Sequence, residues 1–102
     1  MKPLEPLFTK NGIMYELVKR TDKVALFKLS LDSDHVGWEV CRISQHEDFF
    51  KGDALIPAAE TIPGNEEFGR DGSKAFFPDH MKQAFAYLDE FNLELHAEKC
   101  PN

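Results

Sequence analysis

The sequence predicts an α+β fold in which an antiparallel sheet of four to five strands packs one C-terminal amphipathic helix on one face. Three observations support this prediction. Apolar and polar residues alternate in the first half of the chain, which indicates strands that follow one another closely. Apolar residues recur at spacings of three and four near the C-terminus, which indicates a helix. No repeat or linker divides the 102 residues, so we expect a single domain.

Three strands of an N-terminal meander are predicted within residues 13–45, at Ile13–Arg20, Lys23–Asp32 and His35–Ser44. Ahead of them, residues 1–10 are predicted to form an extended arm, because its two prolines oppose regular helix. The pair Asn11-Gly12 is a strong turn signal and predicts a short hairpin between Leu7–Lys10 and the first strand of the meander.

Residues 46–77 predict an irregular segment with short strands. A turn is indicated at Lys51–Asp53, and the run Ala54–Ile62 predicts a short fourth strand that Pro57 confines to a sheet edge. Ser73–Phe77 predicts a fifth short strand.

The helix is predicted over residues 78–95, with Pro78 in its first turn, where the missing N–H does no harm. Asn92 and Lys99 are alternative points for its end. The stripe that this helix would bury consists of Met81, Ala84, Phe85, Leu88, Phe91 and Leu95.

One helix covers only one face of a sheet, yet the predicted strands carry apolar residues on both faces. Either the arm and residues 47–63 wrap the second face, or a partner subunit covers it. We expect wrapping ahead of dimerisation.

Composition excludes several classes of protein. The formal net charge of −6 argues against a general nucleic-acid binder, which needs clustered Lys and Arg. Cys41 and Cys100 form no CxxC pair and are expected to be free thiols in a reducing compartment. The first residues lack the apolar region of a signal peptide, and no run approaches the roughly 18 apolar residues of a membrane span. We therefore expect a soluble cytoplasmic protein with no membrane contact.

The stretch PGNEEFGRDGSKAFF, Pro63–Phe77, holds the densest chemistry. Its spacing does not fit a phosphate-binding P-loop, and its GxxG is predicted to be a tight turn in which Asp71-Gly72 supplies the left-handed residue. Asn65 is predicted to cap a short helical turn whose first residues are acidic.

The same stretch is predicted to be anchored by three rings, Phe68, Phe76 and Phe77. Four charged side chains are left pointing outward, and we predict that they form a partner-binding loop: Glu66, Glu67, Arg70 and Lys74.

No convergent catalytic, cofactor-binding or metal-binding set is found in the sequence. The four histidines lie far apart, and Cys41 lies mid-strand, where a packed thiol is the expectation. Trp38 is predicted to lie in the core rather than to act as a stacking platform. We therefore predict a non-catalytic protein without cofactor or metal, which acts by contact with a protein partner or by self-association.

The order of these motifs, YELVKR, VALFKLSL, GWEVCRIS, IPGNEEFGRDGSKAFF and AFAYLDEF, resembles small proteins of unknown function found in phages and mobile elements of gut bacteria. The resemblance covers most of Tyr15–Phe91, and Gly64 stands where those proteins usually have serine. It implies the fold and a phage or mobile-element origin, but no activity.

A second resemblance is to WGR domains, which place an aromatic-Gly-Arg-x-Gly motif before a strand and a final helix and assist nucleic-acid recognition. Phe68–Gly72 matches that motif, with phenylalanine in place of tryptophan. The resemblance implies an alternative function as a nucleic-acid-binding accessory domain that uses Arg70, Lys74 and Arg42.

Overall fold

A computed structural model describes residues 1–64 and 66–98 of the chain. The elements in chain order are β1 Leu7–Lys10, β2 Ile13–Arg20, β3 Val24–Leu31, β4 Asp34–Arg42, β5 Ser44–His46, β6 Phe49–Lys51, β7 Ala54–Ile56, β8 Ala59–Thr61, β9 Lys74–Phe76 and α1 Met81–Glu98.

The main sheet has five strands in the order β1-β2-β3-β4-β9, and every neighbouring pair is antiparallel. Helix α1 packs against β3, β4 and β9. The predicted α+β fold is therefore confirmed, and so is the strand predicted within Ser73–Phe77, because β9 pairs with β4.

Tight turns join the first strands. Asn11 and Gly12 have φ values of 53° and 80°, the left-handed pair of a type I′ hairpin turn, which confirms the hairpin predicted there. Asp32 and Ser33, with φ values of 50° and 72°, form the same kind of turn between β3 and β4 without a glycine.

The prediction that Ala54–Ile62 adds a strand to the main sheet is wrong. This run supplies β7 and β8, which pair with β6 and β5 in two separate two-stranded sheets. The strand register continues from the β5–β8 sheet into the β6–β7 sheet. Ser44 lies opposite Thr61 and Lys51 lies opposite Ala54, so each step forward on one side matches one step back on the other. Residues 44–61 thus form one β-ribbon, whose ladder is interrupted where Pro57 has no N–H to donate.

The helix begins later and ends later than predicted. Pro78 lies in the turn before α1, and its carbonyl oxygen accepts a hydrogen bond from Trp38 Nε1 at 2.9 Å. The helix continues through Asn92 to Glu98, and the possible end at Lys99 lies outside the described residues. Most of the predicted stripe is buried, but Met81 is 48% exposed. Among the described residues, no helix has the length and apolar character that a membrane span requires.

The sheet carries a core on each face. On the helix side, α1 contributes four buried residues to a cluster that contains Val24, Leu26, Trp38, Val40, Ala84, Leu88, Phe91 and Leu95. The second face is built on Tyr15, Ala25, Phe27, Cys41 and Ile43. Trp38 is 7% exposed, which confirms that it lies in the core.

The chain itself covers much of the second face, as the wrapping alternative expects. Leu4 of the arm, Ile62 and Phe68 pack against the second cluster. The segment that covers this face is fixed to the sheet by Arg20, whose guanidinium donates to both carboxylate oxygens of Glu60 at 2.6 and 2.9 Å. Glu60 also accepts a hydrogen bond from the backbone N–H of Leu4 at 3.0 Å, so one carboxylate joins β2, β8 and the arm.

We expect Glu60→Gln to lower the free energy of unfolding at pH 7 by about 1–3 kcal/mol, because a neutral amide replaces the little-exposed carboxylate that accepts both guanidinium hydrogen bonds. The hydrogen bond from Arg20 lowers the pKa of Glu60. The ionised carboxylate therefore stabilises the fold above its unfolded-state pKa, and this contribution is lost as the pH falls through the lowered value. Urea unfolding at pH 7 and in acid should show a difference between the two proteins that closes in acid.

The matched control is Glu5→Gln, since Glu5 pairs with Lys2 and both side chains are more than half exposed. Such a surface pair contributes little, and we expect the control to unfold as the wild type does. Equal midpoints for Glu60→Gln and the wild type at pH 7 would show that the Arg20–Glu60 pair does not stabilise the fold.

Candidate interaction surfaces

The loop that follows Pro63 forms a single helical turn and a reversal. The backbone N–H of Phe68 donates to the Gly64 carbonyl at 3.0 Å, and that of Asp71 to the Glu67 carbonyl at 3.2 Å. Gly72, at φ 96°, is left-handed, as the Asp71-Gly72 turn requires. The predicted cap, Asn65, lies outside the described residues.

Two of the three predicted anchors reach the core. Phe68 packs against the second-face cluster and Phe76 against the helix-side cluster. The prediction for Phe77 is wrong, since its side chain is 71% exposed. Phe77 follows the last residue of β9 and lines an open apolar depression with Leu29 and Val36.

Three of the four predicted partner-binding residues line one open polar cleft of about 420 Å³. Its walls are Arg42, Ser44, Glu66, Glu67, Arg70 and Asp71. Among the described residues, no salt bridge engages the guanidinium of Arg42 or Arg70. The cleft therefore combines two cations with three carboxylates, a lining of mixed charge that suits polar contacts.

Lys74 lies apart from the other three. Its Nζ lies 5.0 Å from the centroid of the Tyr87 ring, on the helix side of the sheet. The Tyr87 hydroxyl donates to the Gly72 carbonyl at 2.6 Å and thereby fixes the ring beneath the lysine. The predicted loop of four residues is thus split between two surfaces, and its role in partner binding stays a prediction.

A buried polar cluster on the second face was missed in the sequence. Glu39 is 8% exposed, accepts a hydrogen bond from the Tyr15 hydroxyl at 3.1 Å and lies 3.4 Å from Cys41 Sγ. Burial and the nearby Glu39 carboxylate raise the pKa of Tyr15 and of Cys41 well above their ordinary values. The Cys41 thiol stays protonated and packed, as expected, and is a poor nucleophile. In the sequence, this cluster is indicated by Glu39, which lies on the same strand face as Cys41.

The tip of the β-ribbon, β6 with β7, projects from the protein. Within the described residues, no Cα atom of these strands lies within 8 Å of another strand or helix, although the Phe49 ring contacts the His46 ring of β5 edge-on, with centroids 5.1 Å apart. Phe50 and Leu55 lie directly opposite each other and therefore share one face of the tip, where they are 73% and 54% exposed. The prediction that residues 47–63 wrap the second face is wrong for this tip. The apolar residues on either side of Lys51–Asp53 indicate the hairpin in the sequence.

Within residues 1–64 and 66–98, no group of three or more His, Cys, Asp or Glu side chains is arranged to hold a metal ion. Comparisons with protein-family models, with curated proteins and with solved structures gave no match to this chain.

We expect Gly72→Ala to destabilise the protein by about 2–4 kcal/mol, since a Cβ there would lie 2.7 Å from two ring atoms of Phe91 at a left-handed φ of 96°. Gly69→Ala is the matched control, because Gly69 has φ 89° but no atom within 4 Å of an added Cβ. It should cost only about 1 kcal/mol from backbone strain. Thermal or urea unfolding measures both, and equal losses would contradict the close packing of the loop on α1.

Proposed function

We propose that this protein is a non-catalytic interaction module whose docking element is the tip of the β-ribbon, residues 49–56. The observation that carries the proposal is the exposed cross-strand pair of Phe50 and Leu55, on a hairpin whose Cα atoms lie more than 8 Å from every other described strand and helix. An aromatic anchor that stands clear of the fold is a common centre of binding energy at protein interfaces.

The energetics of the tip support docking. A two-stranded hairpin is marginally stable in water unless one face is covered. Burying a ring such as Phe50 or a side chain such as Leu55 contributes about 1.5–3 kcal/mol each. A partner that covers this face would therefore stabilise the hairpin and gain affinity from the same contact.

Two other places with polar side chains, the Glu39 cluster and the polar cleft, provide little support for a catalytic function. The Glu39 cluster is closed from solvent, and its tyrosine and cysteine are held in their protonated forms. The polar cleft lies at the loop that carries Glu66, Glu67 and Arg70, and these residues remain candidates for a secondary contact with the same partner. A cytoplasmic location and a phage or mobile-element origin are parts of the proposal that rest on the sequence.

Photo-crosslinking tests the docking element directly. Replacing Phe50 with the photo-crosslinking residue p-benzoylphenylalanine should give, on irradiation in host cells, a discrete covalent adduct of a single added mass. The adduct partner is read by mass spectrometry, and it can be another protein or another copy of this chain.

Phe77 supplies the matched control, because it is an aromatic residue of nearly equal exposure, 71% against 73%, on a different surface. The same substitution at Phe77 should give no adduct of that mass. Absence of an adduct from position 50, or equal adducts from both positions, would contradict docking through the tip.

One observation favours a second candidate function, the nucleic-acid accessory role. Arg42 and Arg70, predicted for that role, line the same cleft. If they contact phosphates, Arg70→Gln should weaken binding to single- or double-stranded nucleic acid, and the affinity of the wild type should fall with rising salt. A titration by fluorescence anisotropy that finds no salt-dependent binding would end this candidate.

A further inference from the structure

We infer that the partner of the ribbon tip is a second copy of this chain, joined by antiparallel pairing of β6 with β6 about a two-fold axis at Phe50. This inference rests on the proposed docking function and specifies the occupant. It follows from the hydrogen-bonding edges of the tip, from the position of a proline and from the local charge.

The open backbone groups of the tip lie at Phe50 and Leu55. The hairpin is closed by two residues, Gly52 and Asp53, and Gly52 has φ 64°, which fits the first position of a type II′ turn. The flanking pair, Lys51 with Ala54, then exchanges both hydrogen bonds across the hairpin. Because the ladder alternates, the N–H and C=O of Phe50 and of Leu55 point outward.

Only one of the two outer edges can continue a ladder. On β7, the next residue that points outward after Leu55 is Pro57, which has no N–H to donate. On β6, the corresponding residue beside Phe50 is Asp48, which keeps its N–H. Pairing of two copies is therefore directed to β6, where the two Phe50 residues can exchange both of their outward hydrogen bonds.

This pairing builds a continuous apolar stripe. The two Phe50 rings become neighbours on one face of a four-stranded sheet, and each keeps Leu55 on its other side. On the opposite face, Phe49 of one copy lies across from Lys51 of the other, a position suited to a cation–π contact. The dimer would also gain stability, because a four-stranded sheet with an apolar stripe is more stable than two separate two-stranded hairpins.

The charge of the tip fits a second copy. Residues 48–56, which take part in the pairing, contain one lysine and two aspartates and carry a formal charge of −1, whereas the whole chain carries −6. Two copies therefore meet through weakly charged parts while the remaining surfaces repel each other. Salt screens that repulsion, so self-association should strengthen with ionic strength, whereas binding to an oppositely charged partner should weaken.

Sedimentation equilibrium across protein and salt concentrations tests the occupant. We expect the wild type to approach the dimer mass at high concentration, with a smaller dissociation constant at higher salt. Phe50→Ser should raise that constant at least ten-fold, and Phe77→Ser, matched in residue type and exposure, should leave it unchanged. A wild type that stays monomeric at every concentration and salt, or a dimer that Phe50→Ser does not weaken, would overturn the inference.

Disulfide trapping tests the register. In a Cys100→Ser background, Phe50→Cys should crosslink two copies on mild oxidation, since Cα atoms of a hydrogen-bonded antiparallel pair lie about 5.5 Å apart, within disulfide reach. Leu55→Cys, the matched control, should stay monomeric, because the two Leu55 positions are three strand spacings, about 14 Å, apart. The reverse pattern, or equal crosslinking of both, would overturn pairing through β6.

The two proposals fail in different ways. If photo-crosslinking from position 50 yields only an adduct with a different protein and sedimentation shows a monomer, docking through the tip stands and the second copy is excluded. If position 50 yields no adduct at all, the docking function itself fails.

Discussion

Burial of the central strand on both faces is the constraint on which the rest of this structure depends. Four consecutive residues, Val24–Phe27, have no exposed surface. Antiparallel sheets commonly leave one face to solvent, and a strand that alternates between two cores requires cover on both sides. Helix α1 provides one cover through its buried stripe. The second must come from the arm and the loop that contains Phe68, since the described part of the chain has no other helix.

The second cover has little regular structure, so its stability depends on a few specific contacts. Arg20 and Glu60 fix β8 to the sheet, and hydrogen bonds between Lys2 and the backbone of Ala58 and Glu60 fix the arm to β8. These contacts hold the base of the β-ribbon but not its tip. The ribbon therefore has a fastened end, β5 with β8, and a projecting end, β6 with β7, and the break in the ladder at Pro57 separates them. Covering the second face and presenting the tip are two consequences of one ribbon.

Local patterns in the sequence predicted the features that local physics decides. Ile13–Arg20 matches β2 residue for residue, because its alternation reports a half-buried strand and Asn11-Gly12 fixes the preceding turn. Long-range contacts decided the features that were missed. Pro78 is engaged by the indole of Trp38, 40 residues away, so the helix starts after it. The alternation of Ala54–Ile62 is the same for a strand of the main sheet and for a ribbon, and periodicity cannot distinguish them. The four predicted partner-binding residues follow the same distinction between local and long-range effects. Glu66, Glu67 and Arg70 share a local turn, whereas the position of Lys74 is set by the pairing of β9 with β4.

The open strand edges of this protein differ in how they are protected from pairing with other strands, and this difference distinguishes the ribbon tip. Proteins protect open strand edges with proline, with charge or with short length, because an open edge recruits other strands. Here β1 follows directly after Pro6, and β9 has three residues and is followed two positions later by Pro78. Pro57 protects β7 in the same way. Strand β6 is also three residues long and carries Lys51, but no proline directly precedes or follows it. Among these four edges it is the one that exposes two aromatic side chains, Phe49 and Phe50, at the end of a projecting ribbon, which is the arrangement expected of a surface used for pairing.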